Sequence, residues 1–249
     1  MKVMNIKDMN VEILLDGAFT SVVGPTNSGK TTILKKLINQ VDNRDIFIDD
    51  VNISEYDINY LRNNIVVVLD DDLFNDEFVA GELYYNLSLL GYRIDEITNK
   101  IDEITKYFKI SNLTSERIES LPVSKKMLVK LLSYLIIKPK IIGLDGILSY
   151  LSNKDIVRVL KYIQDNNISL INVTNNEEHL LLCDNIIVMN NNKCVLSGST
   201  RSILSGNSIL PFMGLKLPFI VELSNNLILY DLIKDIYYTD RELIDRIWK

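Results

Sequence analysis

The 249-residue sequence predicts an α/β fold with a mostly parallel central sheet. Three observations carry the prediction. Short apolar runs rich in β-branched residues alternate with helix-patterned stretches along most of the chain. A glycine-rich loop, Gly24-Pro25-Thr26-Asn27-Ser28-Gly29-Lys30-Thr31-Thr32, stands between one such run and one such stretch. The composition, 47% hydrophobic and 24% charged, suits a globular core of good size.

Residues 11–15 (Val-Glu-Ile-Leu-Leu) read as a strand, and Asp16-Gly17 as a turn. Residues 19–23 form the strand that feeds the glycine loop, and residues 33–38 continue as its helix. Residues 45–49 alternate like a half-exposed strand, whereas Ile65-Val66-Val67-Val68-Leu69 is the unbroken run of a strand buried on both faces. Helical spacing dominates residues 75–108, with Glu82, Tyr84, Tyr85, Asp95 and Glu96 supplying the polar faces. Ser124 reads as the cap of a helix over 125–137 that Lys138-Pro139 stops. Residues 141–145, 168–173 and 185–189 read as further strands, the last two separated by a helix near 177–182. From Gly206 the texture changes, and residues 208–249 read as short helices around Pro211 and Pro218. The expected organisation is a domain over 1–205, with a helical subdomain at about 75–137, and an appended helical segment over 206–249.

Several function classes are disfavoured. A net charge of −6 argues against a nucleic-acid binder, which needs a concentrated basic face. The two cysteines, Cys183 and Cys194, lack metal-ligand spacing, and one histidine leaves little for zinc or imidazole catalysis. A reducing compartment is expected. No leader-like pattern opens the sequence. The apolar stretch 127–151 is interrupted by Lys130, Lys138, Lys140 and Asp145, so any membrane role is expected to be peripheral.

The strand–loop–helix context makes Gly24 to Thr32 a phosphate-binding loop. Its backbone N–H groups and the positive end of the helix dipole suit anionic oxygens. Lys30 is placed to reach the β- and γ-phosphates of a nucleotide, and Thr31 to ligate Mg²⁺. Asn27 stands mid-loop, where a residue that tolerates positive φ is expected. The run Ile141-Ile142-Gly143-Leu144-Asp145, placed after Lys138-Pro139-Lys140, ends in the carboxylate expected to act on Mg²⁺ through water. ATP and Mg²⁺ are the expected ligands.

With these motifs in place, the chain resembles the ATP-binding subunits of ABC transporters. The stretch Asp45 to Ser54 followed by Leu61-Arg62 is similar to that family's region between the loop helix and the next buried strand, called the Q-loop strand. Residues 183–189 with Lys193, Gly198 and Ser199 are similar to its closing strands. The tail, Gly214-Leu215-Lys216-Leu217-Pro218-Phe219, Glu222-Leu223 and Thr239 through Glu242-Leu243, resembles the C-terminal extension of energy-coupling factor ATPases. That resemblance implies a subunit peripheral to the cytoplasmic face of the membrane. Its partners would be a second ATPase and a transmembrane coupling subunit, and it would power uptake of a vitamin or metal ion. The extension would help the two ATPases dimerise.

The same resemblance exposes departures. The family's signature loop falls on Leu121-Pro122-Val123-Ser124-Lys125, where Pro122 lacks a donor and Val123 replaces a glycine. The catalytic glutamate position is Gly146, the switch histidine position Asn175, the Q-loop glutamine position Asp70, and the D-loop aspartate position Ser152. The only histidine, His179, lies four residues past Asn175, about one helical turn. No aromatic residue precedes Phe19, so the adenine-stacking tyrosine is absent. The binding half is kept and the hydrolytic half replaced. The expectation is a chain that binds ATP but hydrolyses it poorly. Weak hydrolysis aided by Asp70, and a nucleotide-sensing regulatory pseudo-ATPase outside transport, are the alternatives. The acidic run Asp70-Asp71-Asp72 is either a solvated loop or a landing site for arginines of a membrane subunit.

Overall fold

A computed structural model describes residues 2–71, 73–205 and 209–248. The chain opens with β1 (Val3–Ile6) and β2 (Val11–Leu14), paired antiparallel. β3 (Phe19–Val23) leads into the glycine loop and α1 (Lys30–Leu37). Then come β4 (Ile46–Ile48), β5 (Val51–Asn52), α2 (Ile58–Asn64) and β6 (Ile65–Val68). A helical layer follows: α3 (Val79–Leu89), α4 (Ile94–Phe108) and α5 (Val123–Leu135). The chain returns to the sheet through β7 (Ile141–Asp145), α6 (Asn153–Asp165), β8 (Ser169–Val173), β9 (Asn185–Asn190) and β10 (Lys193–Ser199). α7 (Thr200–Ile203), α8 (Phe219–Leu229) and α9 (Asp240–Ile247) complete it.

Two sheets result. The larger has the order β10-β9-β3-β8-β7-β6 and is parallel except for β10. The smaller, β2-β1-β4-β5, is antiparallel. The α/β fold with its mostly parallel sheet is therefore as the alternation of runs predicts. β6, β7 and β8 are buried almost throughout, as unbroken apolar runs in a covered parallel sheet should be.

The faces of the large sheet carry different layers. On one, Leu128, Leu131 and Leu132 of α5 and Ile156, Val159 and Ile163 of α6 pack with Ile142 and Leu144. On the other, Ile33, Leu34 and Leu37 of α1 pack with Val22, Val67, Ile141 and the small sheet. A Cβ at Gly143 would stand 2.6 Å from Leu34 Cδ2, so glycine there lets α1 lie directly on β7. That contact brings the start of α1 to the end of β7. A third cluster joins Val23, Ile186 and Val188 to Ile220, Val221 and Leu243 of the tail helices.

The structure corrects three readings. Ser124 does not cap α5: the helix begins at Val123 behind Pro122, which has φ −58° and ψ 149° and whose carbonyl accepts the N–H groups of Lys125 and Lys126. Proline's fixed φ suits the cap, so the start moves ahead of the serine. Glu82, read as part of a polar face, is completely buried in an ion pair with Lys130. The 177–182 helix is a 3-10 turn. Further elements lie outside the expected set: β1, β5, α2, α6 and α7. Gly206 and Ser208, with Asp72 of the acidic run, lie outside the described residues.

Candidate phosphate-binding site

The loop between β3 and α1 sits at the C-terminal end of the parallel strands, where α/β sheets bind ligands. Asn27 adopts φ 61°, the left-handed conformation expected of it. Gly29, at φ 95°, opens α1. Thr26 and Asn27 are exposed, while Ser28 and Lys30 are buried. The Ser28 hydroxyl has no hydrogen-bond partner, although its oxygen is fully enclosed. A buried hydroxyl without a partner is costly, and at an anion-binding loop a phosphate oxygen would satisfy it. From below, the turn between β9 and β10 supports the loop: Asn192 N–H donates to the Ser28 carbonyl at 2.9 Å.

Lys30 Nζ donates to the carbonyls of Gly24 at 2.7 Å and Pro25 at 2.8 Å. Burial holds its pKa below the usual lysine value, and the Asp145 charge works in the opposite sense. Thr31 Oγ1 donates to Asp145 Oδ2 at 2.6 Å. Burial also raises the Asp145 pKa; the Thr31 hydrogen bond opposes this, and the charges of Asp70 and Asp71 add to it. Adjacent Lys30 and Thr31 thus meet Asp145, 114 residues further along the chain, in one partly buried site. A carboxylate–hydroxyl pair with further acidic groups beside it has the hard-oxygen chemistry that suits Mg²⁺. The loop residues and Thr31–Asp145 fit Mg-nucleotide on these grounds.

The remaining positions are arranged differently. Asp70 and Asp71 are exposed and follow β6, which runs parallel to β7 with Val68 opposite Leu144. Gly146 follows Asp145 and offers no side chain; its φ of 69° is left-handed. Asn175 is exposed after β8 and lines a cavity of about 280 Å³ with Val23, Leu210 and Lys216. His179 is buried, its ring nitrogens 3.3 Å from Thr174 Oγ1 and 3.3 Å from Asn176 Nδ2, so it is occupied within its own turn. Glu178 of that turn accepts the Phe219 N–H of α8 at 2.7 Å, tying the Asn175 segment to the tail.

Ser152 caps α6, accepting from Asp155 N–H at 3.2 Å and donating to Asp155 Oδ2 at 2.9 Å. Lys125 Nζ lies 2.9 Å from the same carboxylate oxygen. Sequence reasoning missed this pairing, which spends the Lys125 charge on α6. The one signal for it was Asp155 standing three residues after a serine at a helix start.

The sequence profile of the family described as ABC transporter matches residues 6–149, more than half the chain. The chain belongs to the ABC transporter family. Among relatives in that family, an energy-coupling factor transporter ATP-binding protein EcfA1 of Mycoplasmopsis synoviae is 27% identical over 254 residues, covering 98% of this chain and 93% of that protein. The EcfA1 protein of Staphylococcus aureus is 28% identical over 232 residues, covering 89% and 85%. Among solved structures, cbiO1 from Clostridium perfringens, described as part of the ABC transporter complex cbiONQ, superposes with a TM-score of 0.68. It is 22% identical and the match covers 89% of this chain and 95% of that one. A dimeric ATP-binding cassette, MJ0796 bound to ADP and Pi, gives 0.65 at 18% identity, covering 77% and 90%. At those identities the structural likeness concerns the fold of the ABC transporter ATPases.

Proposed function

We propose that this chain is the ATP-binding subunit of an energy-coupling factor type importer and that it binds Mg-ATP but hydrolyses it poorly. The observation that carries the reading is a divided site. Lys30, Thr31, Asp145 and the partnerless Ser28 hydroxyl converge at the loop, while Gly146 and Asn175 bring neither a carboxylate nor an imidazole. Residues Gly24 to Thr32 hold the triphosphate; Thr31, and Asp145 through water, hold Mg²⁺, which neutralises phosphate charge when bound. A positioned general base contributes about 10²–10⁴ in rate, and none stands after Asp145. Binding is weak because no aromatic residue precedes Phe19 to stack on adenine.

The relatives are named energy-coupling factor transporter ATP-binding proteins, which supports a place in such a transporter. In this reading the cargo is a vitamin or metal ion, and the partners are a second ATPase and a transmembrane coupling subunit. No helix among the described residues is long and apolar enough to cross a membrane. In this reading the chain is peripheral and sits on the cytoplasmic face through that subunit. A groove of about 560 Å³ lined by Arg62, Val66, Leu89, Leu90, Tyr134 and Ile137, between the large sheet and the helical layer of 75–137, offers the docking surface. The tail, 206–249, serves the contact with the second ATPase.

Calorimetry with Mg-ATP, on the natural chain and on Lys30→Ala, tests the binding half. Millimolar binding lost in the variant is expected, and no binding in the natural chain refutes it. Turnover is measured on the same pair of proteins, where Lys30-dependent hydrolysis at an ordinary ATPase rate would refute the poor-hydrolysis half. Gentle extraction is expected to bring down a membrane subunit and a second ATPase. A chain recovered alone would favour the nucleotide-sensing regulatory reading.

A further inference from the structure

Thr31 and Asp145, the two groups that fit Mg²⁺, come from strands that are not neighbours. Thr31 follows β3, Asp145 ends β7, and β8 lies between these strands in the sheet. Val173, the last residue of β8, stands opposite both Val22 of β3 and Asp145. The turn that leaves β8 therefore lies beside whatever the loop and the Thr31–Asp145 pair hold together. For Mg-ATP that is the end of the triphosphate, because the metal bridges its last two phosphates.

This turn, Thr174-Asn175-Asn176-Glu177, carries no positive charge. The tail brings one. Lys216 lines the cavity of about 280 Å³ together with Thr174, Asn175, Glu177 and Val23, the residue before Gly24 of the loop. Backbone contacts fix the tail there. Leu215 N–H donates to the Leu210 carbonyl at 3.0 Å, Gly214 closes the turn at φ 73°, and Phe219 N–H donates to Glu178 Oε1 at 2.7 Å. Lys216 is exposed, and its side chain makes no ion pair or hydrogen bond among the described residues, even with Glu177 on the same cavity. Lys30, by contrast, spends two of its three N–H groups on the loop's own carbonyls. The flexible four-carbon stem of a lysine lets its ammonium group swing from the cavity wall to a ligand. Facing a phosphoryl oxygen, that group forms a charge-assisted hydrogen bond that neither Asn175 nor Thr174 can supply. We propose that Lys216 binds the terminal phosphate of Mg-ATP, so that the tail reads whether the loop holds a triphosphate or a diphosphate. The proposal rests on the Mg-ATP reading above. On that reading the tail also carries the contact with a second ATPase, and Lys216 makes this contact responsive to the nucleotide.

The test uses the full natural chain, Lys216→Met and Lys216→Arg, with affinities for Mg-ATP and Mg-ADP read by NMR titration and folding by a thermal melt. Lys216→Met is expected to weaken ATP about tenfold or more and to change ADP less than about twofold, while Lys216→Arg keeps most of the ATP affinity. A folded Lys216→Met variant with natural ATP affinity overturns the proposal. So does an equal loss for both nucleotides, which would mark a structural role. A natural chain that binds neither nucleotide refutes the Mg-ATP reading and this inference with it. Acetylation of Lys216 by an amine-reactive ester, read by mass spectrometry on the natural chain, needs no variant. ATP is expected to slow it and ADP to leave it unchanged; equal rates in the two nucleotides overturn the proposal.

Discussion

Replacing Gly146 by glutamate asks whether the hydrolytic half of the site was lost through one side chain or through the backbone that would carry it. Gly146 has φ 69° and ψ −6°, donates its N–H to the Val173 carbonyl at 3.0 Å and accepts from Ser149 N–H at 3.0 Å. A Cβ built there meets nothing within 4 Å, so a larger residue incurs no clash. What remains is the left-handed backbone, which costs a residue with a Cβ about 1–2 kcal/mol. For a chain of this size each kcal/mol lowers Tm by about 2–4 °C, giving a fall of about 2–8 °C. Gly146→Ala should fall as far as Gly146→Glu, and Gly146→Asn less, because asparagine tolerates this region. A well-placed base would add about 10²–10⁴ to turnover. With its Cα in the left-handed region and Asn175 unchanged, Gly146→Glu is expected to gain less than about tenfold over the Lys30-dependent background. Differential scanning calorimetry and a phosphate-release assay read both quantities. A glutamate variant that melts with the natural chain and gains about a hundredfold would refute the reasoning and leave hydrolysis one side chain away.

Other expectations concern the structural neighbours of the site. Asp155 is nearly enclosed, and burial alone would raise its pKa. The hydrogen bonds from Lys125 and Ser152 and the charges of Lys125 and Arg158 outweigh that, leaving it below the usual carboxylate value. Lys125→Met should therefore cost about 1.5–3 kcal/mol in urea unfolding near neutral pH, the range for a hydrogen bond to a charged group. The difference should shrink as the pH falls below the ordinary carboxylate range; equal stability at pH 7 would contradict this. Burial lowers the His179 pKa, so the unfolded chain binds a proton more readily than the folded one. Stability should be full above about pH 6.5 and decline as the pH falls toward the lower folded value. His179→Gln should flatten that slope, and an unchanged slope would place its origin elsewhere. In the tail, Ile244, Ile247 and Trp248 form an exposed apolar stripe on and just after α9. On the proposed reading, Ile247→Asp should weaken assembly with the proposed second ATPase, read by light scattering of the mixed proteins; full-sized complex would show that another surface carries the contact.

The parts of the site legible in the sequence are those built locally. Asn27 occupies a left-handed position fixed by its own loop, and Lys30 and Thr31 follow from where the strand stops and the helix starts. Asp145 was legible because an apolar run ending in a carboxylate marks a strand end in this kind of sheet. What could not be read was partnership across elements. Glu82 looked solvent-facing because carboxylates are seldom buried unless paired, and its partner Lys130 lies on another helix. Lys125, at the start of α5, pairs with Asp155 of α6, thirty residues on, and no local pattern marks such a partner. Ser124 had every local mark of a cap, and Pro122 displaced it through backbone geometry alone.

The missing side chain at Gly143 has a consequence of its own. Leu34 of α1, three residues after Thr31, fills the space that a side chain at 143, two residues before Asp145, would take, and Thr31 and Asp145 are the two residues whose side chains meet at 2.6 Å. A methyl group added at 143 would stand 2.6 Å from Leu34 Cδ2 and 3.1 Å from Val67 Cγ2 and is expected to displace these side chains in a closely packed core, without touching Thr31 or Asp145. On the Mg-ATP reading proposed above, cation affinity is then expected to fall through a change buried in the core, while every group at the mouth of the site stays chemically intact.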